Sequence, residues 1–188
     1  MNSSKPNSPY ALASLLIALA ALSRLFPHPA NFTPVLAIAL LGGAILPRRL
    51  ALSVPLGAMF LSDLALGYGF GPMNLVIYGC LLSGVVLGWC LRGRRTAVGN
   101  LGAALGGSLL FFVVTNFVVW LGPMMAPPFD YPHTLAGLVK CYAMALPFFR
   151  NSLMGDLAWT GALFAIYDVA RAWAKRQNAS DNGRLAGA

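Results

Sequence analysis

The chain has 188 residues, of which 58% are hydrophobic and only 10% charged, and its mean hydropathy is +0.70. A soluble domain carries about 25% charged residues, so this composition excludes a water-soluble globule and indicates an integral membrane protein. The net charge of +8 would suggest a nucleic-acid partner in a soluble protein. Here we expect no nucleic acid, because the basic residues cluster between apolar runs.

Six apolar runs follow one another along the chain, each near the roughly 20 residues that cross a bilayer. They predict an all-α integral membrane protein with a single six-helix transmembrane domain over residues 10–173. Residues 1–9 form a polar cytoplasmic N-terminus, and residues 174–188 form a cytoplasmic C-terminal tail, disordered from residue 177. A long connection over residues 122–147 separates the last two spans. The predicted spans are residues 10–26, 32–46, 50–66, 73–91, 98–121 and 151–173.

Lysine and arginine predict which side each loop occupies, because cytoplasmic loops are enriched in both residues. With both termini inside, ten of the thirteen basic residues fall on the cytoplasmic side, and only Arg24, Lys140 and Arg150 fall outside. The chain is therefore predicted to lie in a bacterial inner membrane with N-in, C-in topology. Most unusual polar and aromatic residues, Asp130 among them, then lie near the outer face, which favours a binding site open to the outside.

The stretch from Gly67 to Cys80 is the most chemically distinctive part of the chain. A glycine-rich loop leads into an apolar helix that presents Tyr78 and Cys80. The three cysteines, at positions 80, 90 and 141, form neither a disulfide framework nor a zinc pattern. Cys90 is predicted to pack, Cys141 to pack or line a pocket, and Cys80 either to pack or to carry chemistry.

Ionisable residues inside apolar runs mark candidate functional positions, because burying them is costly. Asp63 and Arg150 are expected to serve a site, or to form a structural ion pair with each other, with Arg24 or with Asp156. His28 lies between two prolines, where a hydrogen bond that fixes the loop is favoured over metal ligation.

Pairs of small residues four positions apart predict close helix packing within a membrane. Three pairs are present, Ser14/Ala18, Gly84/Gly88 and Gly102/Gly106. The first pair could also face a partner membrane protein.

Four segments of the chain resemble a family of small six-helix bacterial membrane proteins that includes the BtuM-type vitamin B12 transporters. The resemblance covers residues 23–172. The segments are Pro27-His-Pro-Ala-Asn-Phe-Thr-Pro34, Leu61-Ser-Asp-Leu64, Thr115-Asn-Phe-Val-Val-Trp120 and Cys141-Tyr-Ala-Met-Ala-Leu-Pro-Phe-Phe-Arg-Asn151.

This resemblance implies a fold like the substrate-binding S-components of energy-coupling-factor transporters, with cobalamin as the transported ligand. Cys80 matches the position of a cysteine that ligates cobalt in BtuM-type members. A thiolate is a soft ligand suited to transition metals, and we expect it to assist loss of the upper cyanide ligand. Aromatic walls and amide partners would complete the corrinoid site. The expected site residues are Cys80, Asn31, Tyr68, Tyr78, Asn116, Tyr142, Phe148 and Arg150.

The expected partners are cobalamin and the lipid bilayer, with an energy-coupling module or without one. The sequence contains no P-loop motif for nucleotide binding. Two alternatives stay open: an S-component for another vitamin, or a membrane enzyme that uses Cys80 as a nucleophile.

Overall fold

A computed structural model describes residues 8–122 and 131–186, with side chains described through residue 180. Asp130 and the two extreme ends of the chain lie outside the described residues. The described parts form six α-helices and no strand, which confirms the predicted all-helical class. The helices are α1 (Pro9–Leu25), α2 (Val35–Ile45), α3 (Arg48–Ala65), α4 (Pro72–Cys90), α5 (Ala97–Leu121) and α6 (Leu135–Ala186).

The first five helices begin and end within three residues of the predicted boundaries, but the sixth does not. Residues 135–147 were predicted to belong to a long connection, yet α6 already begins at Leu135. Thr134 explains this start, because its hydroxyl accepts a hydrogen bond from the Gly137 backbone N–H at 3.1 Å and so caps the helix. Pro147 is accommodated inside α6.

The C-terminal tail was predicted to be disordered from residue 177, but α6 continues to Ala186. The segment that follows Trp173 contains no proline and begins with Ala174-Lys-Arg-Gln177. These residues have high helix propensity, so the backbone continues the preceding helix.

Helix α2 is the centre of the bundle. Nine of its residues, from Val35 to Gly43, are buried, and it contacts every other helix. The other helices form an arc around it in the order α1, α3, α4, α5 and α6. In the described part of the chain α1 and α6 do not touch, so the arc stays open between them.

Neighbouring side chains show that the helices alternate in direction. Ile17 of α1 lies against Gly57 and Arg24 against Met59, so α1 and α3 run the same way. Tyr142 near the start of α6 bonds to Val113, and Asp156 bonds to Ser108 further back along α5, so these two helices are antiparallel. One end of the bundle therefore gathers the last turns of α1, α3 and α5 and the first turns of α2, α4 and α6. We call it the site end, and the opposite one the arginine end.

Glycines allow the backbones of α2 and α4 to approach closely. A Cβ atom added at Gly88 would lie 2.9 Å from the Ala44 backbone nitrogen and would also collide with the Leu40 carbonyl oxygen. A Cβ at Gly84 would lie 2.7 Å from Leu36 Cδ1. The predicted Gly84/Gly88 packing seam is therefore confirmed.

The other two predicted seams are wrong within this chain. Gly102 and Gly106 are exposed, and no atom lies within 4 Å of a Cβ built at either position. Gly107, the next residue, instead packs against the Leu36 side chain of α2. Ser14 and Ala18 are exposed as well. Two small residues four positions apart lie on the same face of a helix. This spacing does not indicate whether that face packs against the other helices.

Much of the outer surface of the bundle is apolar. Helices α4 and α5 are long and apolar enough to cross a membrane, and only 28% and 22% of their most apolar stretches is buried inside the described structure. A core helix of a soluble protein would be mostly buried instead. Exposed apolar side chains continue on other helices, for example Leu15, Leu19 and Leu22 of α1 and Ile166 and Val169 of α6. The surface therefore suits contact with lipid.

The α2–α4 contact predicts that Gly88→Ala destabilises the protein although alanine favours helix. Overpacking of this kind costs about 1–3 kcal/mol, so the apparent Tm in detergent should fall by several degrees. Gly102→Ala is the matched control: it brings the same gain in helix propensity, roughly 1 kcal/mol, at a site with free space. Thermal unfolding of both variants checks this, and equal effects of the two would contradict the packing assignment.

Candidate functional site

Two neighbouring cavities open at the site end of the bundle. The first, of about 390 Å³, lies between α1, α2, α3 and α4 and reaches α5 and α6. The second, of about 560 Å³, lies between α4, α5 and the first turns of α6. Five residues line both cavities, so the two form adjoining halves of one recess. The shared residues are Asn31, Ile77, Ser108, Phe111 and Ser152.

Four of the predicted site residues line this recess. Asn31 borders both cavities, and Tyr68 borders the first. Asn116 and Phe148 border the second. Asn31 has a φ angle of 62°, in the left-handed region that asparagine tolerates better than most residues.

Cys80 lies in the part of α4 that lines the recess, between Ile77 and Leu81, which both border the first cavity. Met73 and Ile77 both border the second cavity, and Cys80 follows Ile77 at the three-residue spacing of one helix face. The thiol is buried, with 4% of the residue exposed, and Cys80 is not among the residues that border the cavities. The structure thus places Cys80 next to the recess but covered.

Cys141 borders the second cavity directly, so the pocket-lining alternative is confirmed for it. Its Sγ lies 3.4 Å from the Asn116 carbonyl oxygen, to which it donates. Cys90 is exposed near the arginine end, and the packing role predicted for it is therefore wrong within the chain.

Tyr142 and Arg150 lie on α6 but do not border the recess. The Tyr142 hydroxyl donates to the Val113 carbonyl oxygen at 2.7 Å and the ring packs against Phe112, so it joins α6 to α5. Arg150 is exposed. No carboxylate lies within 4.0 Å of its guanidinium in the part of the chain that the structure describes.

Asp63 forms its ion pair with Arg24, so pairing with Arg150 is wrong and the Arg24 alternative is correct. Arg24 Nη1 lies 2.6 Å from Asp63 Oδ1, and the same nitrogen also contacts the Ser62 hydroxyl. The Asp63 side chain is 2% exposed and that of Arg24 16%. The position of an ionisable residue within a predicted span indicates whether it lies near the outer side of the membrane. It does not indicate which neighbouring helix the side chain faces.

Tyr78 is the remaining predicted site residue that does not border the recess. It belongs instead to the hydrogen-bond network of Asp63. Its hydroxyl donates to Asp63 Oδ2 at 2.7 Å, and Asn74 Nδ2 lies 3.4 Å from the same oxygen. One carboxylate thus joins α1, α3 and α4. Since Arg24 borders the first cavity, this network forms part of the wall of the recess.

His28 borders the first cavity, and its Nδ1 donates to the Pro29 carbonyl oxygen at 2.9 Å. The predicted hydrogen bond that fixes this loop is therefore confirmed.

Sequence reasoning did not assign Ser108 or Asp156 to the site. Both border the first cavity, and Ser108 Oγ donates to Asp156 Oδ2 at 2.6 Å. A signal for Asp156 was present, because it interrupts an apolar run just as Asp63 does. The sequence pattern indicates Asp156 only as a possible ion-pair partner.

Comparison with known protein families gives a match. Residues 4–179 match the family of unknown function DUF6580, which is nearly the whole chain. The chain belongs to the DUF6580 family. Searches of curated proteins and of solved structures gave no match. Membership in DUF6580 assigns no activity to the chain, so its function is inferred from the geometry of the recess.

The Asp63 network predicts strong coupling between Arg24 and Asp63. Removing one partner strands a buried charge, which costs roughly 3–5 kcal/mol, so Arg24→Gln and Asp63→Asn should each destabilise strongly. The double variant should recover part of the loss. A double-mutant cycle on unfolding in detergent measures this coupling.

The matched control is the second ion pair, Arg95–Asp168, whose nitrogen and oxygen lie 3.0 Å apart with Asp168 55% exposed. An exposed pair contributes about 0–1 kcal/mol, so its cycle should show little coupling. Additive losses for Arg24 and Asp63, or strong coupling of Asp63 with Arg150, would contradict the assignment.

Proposed function

We propose that this DUF6580 protein takes up cobalamin across the bacterial inner membrane and binds it from the outer face, with the Cys80 sulfur as an axial ligand of cobalt. The observation that carries the proposal is the recess at the site end. It combines aromatic walls and amide groups with Cys80, a buried soft donor on α4 between the lining residues Ile77 and Leu81. Such a mixture suits a large amphipathic ligand.

The proposed topology crosses the membrane six times with both termini inside. Arginines at the arginine end support this orientation: Arg92 donates to the Gly43 carbonyl oxygen at 2.8 Å, and Arg48 lies 5.7 Å from the Trp89 ring centre. Basic residues and interfacial aromatics are typical of the cytoplasmic boundary. The recess then faces the outside.

Two helices depart from the usual spanning length, and the proposal accounts for both. Helix α2 has 11 residues, about 16 Å at 1.5 Å per residue, but other helices surround it, so its ends need not meet lipid. Helix α6 has 52 residues, about 78 Å, and its last turns with Arg171, Lys175 and Arg176 would extend into the cytoplasm.

Ligation by Cys80 requires the thiol to lose its proton, because a thiolate is the metal ligand. The thiolate would donate its electron pair to cobalt(III) and displace the nucleotide base, which leaves the vitamin in a base-off state. If cyanide occupies the opposite position, the sulfur weakens that bond, and cyanide leaves with its electron pair while cobalt stays trivalent. This loss of cyanide would be a side reaction of binding.

Transport would be driven by an energy-coupling module from another protein, or would proceed without one. A thiol-dependent enzyme is the weaker candidate. Among the described residues the Cys80 sulfur has no hydrogen-bond partner, whereas a catalytic thiol needs an adjacent base.

Cysteine labelling tests the topology. In a background without native cysteines, Leu135→Cys at the site end should react with a membrane-impermeant maleimide in intact spheroplasts, since position 135 is 77% exposed. Arg94→Cys at the arginine end should react only after lysis. The reverse pattern would overturn a site open to the outside.

Absorption spectra of purified protein with cyanocobalamin test the ligand. Cys80→Ala should abolish the spectral change on binding and weaken affinity at least ten-fold, about 1.4 kcal/mol. Cys90→Ala is the control and should leave both unchanged, and Cys141→Ala should keep the spectrum.

Two results would contradict the assignment. Wild-type spectrum and affinity in Cys80→Ala would exclude cobalt ligation by this residue. Loss of the spectral change in Cys141→Ala instead would move the ligand to the second cavity.

A further inference from the structure

Asp156 is a buried carboxylate in the wall of the first cavity. The residue is 7% exposed and borders that cavity from α6. Within the described residues no arginine, lysine or histidine nitrogen lies within 4.0 Å of it. Burying a carboxylate without a cation is costly unless hydrogen bonds compensate for the lost hydration.

The contacts of Asp156 leave much of its capacity to accept hydrogen bonds unused. Ser108 donates to Oδ2 at 2.6 Å, while an ionised carboxylate offers about four acceptor positions. Thr160, one turn further along α6, does not contribute, because its buried hydroxyl has no partner. Hydrogen-bond donors for the remaining acceptor positions of Asp156 must therefore come from a molecule in the cavity.

The other charged groups at this cavity do not compensate Asp156. Arg24 borders the same cavity but holds Asp63 at 2.6 Å, and this pair is neutral overall. The neighbourhood of Asp156 is also fixed in place: a Cβ at Gly155 would lie 3.2 Å from the Phe32 backbone. Helix α6 is thus packed closely beside Asp156, and the carboxylate favours a ligand that brings N–H donors and no negative charge.

We propose that Asp156, positioned by Ser108, accepts a hydrogen bond from a primary carboxamide of the bound ligand and selects against a carboxylate at the same place. This inference rests on the proposed function, since the periphery of cobalamin carries neutral carboxamides. An amide N–H satisfies the buried acceptor. A carboxylate there would set two negative charges against each other in a site of low dielectric.

Monocarboxylic acid derivatives of cyanocobalamin, each with one carboxamide hydrolysed, provide the test. Binding of each derivative and of cyanocobalamin to the purified full chain is measured by titration at mildly alkaline pH, so that the buried carboxyl group is ionised. Wild type should bind at least one derivative at least ten-fold more weakly than cyanocobalamin. Asp156→Asn removes the charge with little change in shape, and should reduce that ratio to three-fold or less for the same derivative.

Asp168→Asn is the matched control, because it removes a carboxylate of α6 at the arginine end, where Asp168 is 55% exposed. It should keep the wild-type ratio. The ratio is measured within each variant, so partial loss of folded protein does not alter it. Should Asp156→Asn fail to fold, Ser108→Ala provides the second variant and should also shift the ratio, since the carboxylate loses its positioning partner.

The outcomes separate the two proposals. Equal binding of cyanocobalamin and all derivatives by wild type, or an unchanged ratio in Asp156→Asn, overturns the role of Asp156 and leaves cobalamin uptake standing. Failure of wild type to bind any corrinoid overturns the proposed function and this inference with it.

Discussion

The fold depends on the close approach of α2 to its neighbours. A helix surrounded by five others must offer a surface on all sides, and the neighbours must make room for it. Gly84 and Gly88 of α4 and Gly107 of α5 do so by accepting Leu36 and the α2 backbone at distances that leave no space for a side chain. In lipid, helices gain little from the hydrophobic effect and associate through close packing. The central position of α2 therefore results from the placement of glycine on its partners.

At the site end, a polar interaction holds neighbouring helices together. Asp63 holds Arg24 from α1 and Tyr78 from α4 while it belongs to α3. Such a pair is expensive to bury and costly to break, so it fixes three helices relative to one another more specifically than apolar packing alone would. The first cavity lies against this network, and its shape is therefore set by charge pairing on one side. On the other side α5 and α6 are joined by Ser108 and Asp156.

The sequence was sufficient to predict the first five helices. An apolar run bounded by proline, glycine or arginine has few alternatives to a helix in a membrane. The sequence was insufficient where residues typical of a loop occur inside a helix. Pro147 and the polar aromatic residues before it suggested a loop, yet Thr134 caps a helix that includes them. Asn31, Tyr68, Asn116 and Phe148 were correctly expected to lie near one another, since all occur at the outer ends of spans. The partner of Asp63 was not determined, because residues at equal depth on different helices can face toward or away from each other.

The covered position of Cys80 raises the question of how a large ligand would reach it. The segment between α3 and α4 borders the first cavity through Leu66 and Tyr68. Tyr68 N–H donates to the Asp63 carbonyl oxygen at 2.9 Å, whereas Gly67 and Gly69 have no atom within 4 Å of a Cβ position. Gly67 also adopts a φ angle of 72°, which glycine reaches at little cost. Displacing this segment would break few packing contacts, while separating the helices would break the buried Arg24–Asp63 pair. On the proposed function, entry of a ligand into the recess past the α3–α4 segment is therefore energetically favoured over opening of the bundle.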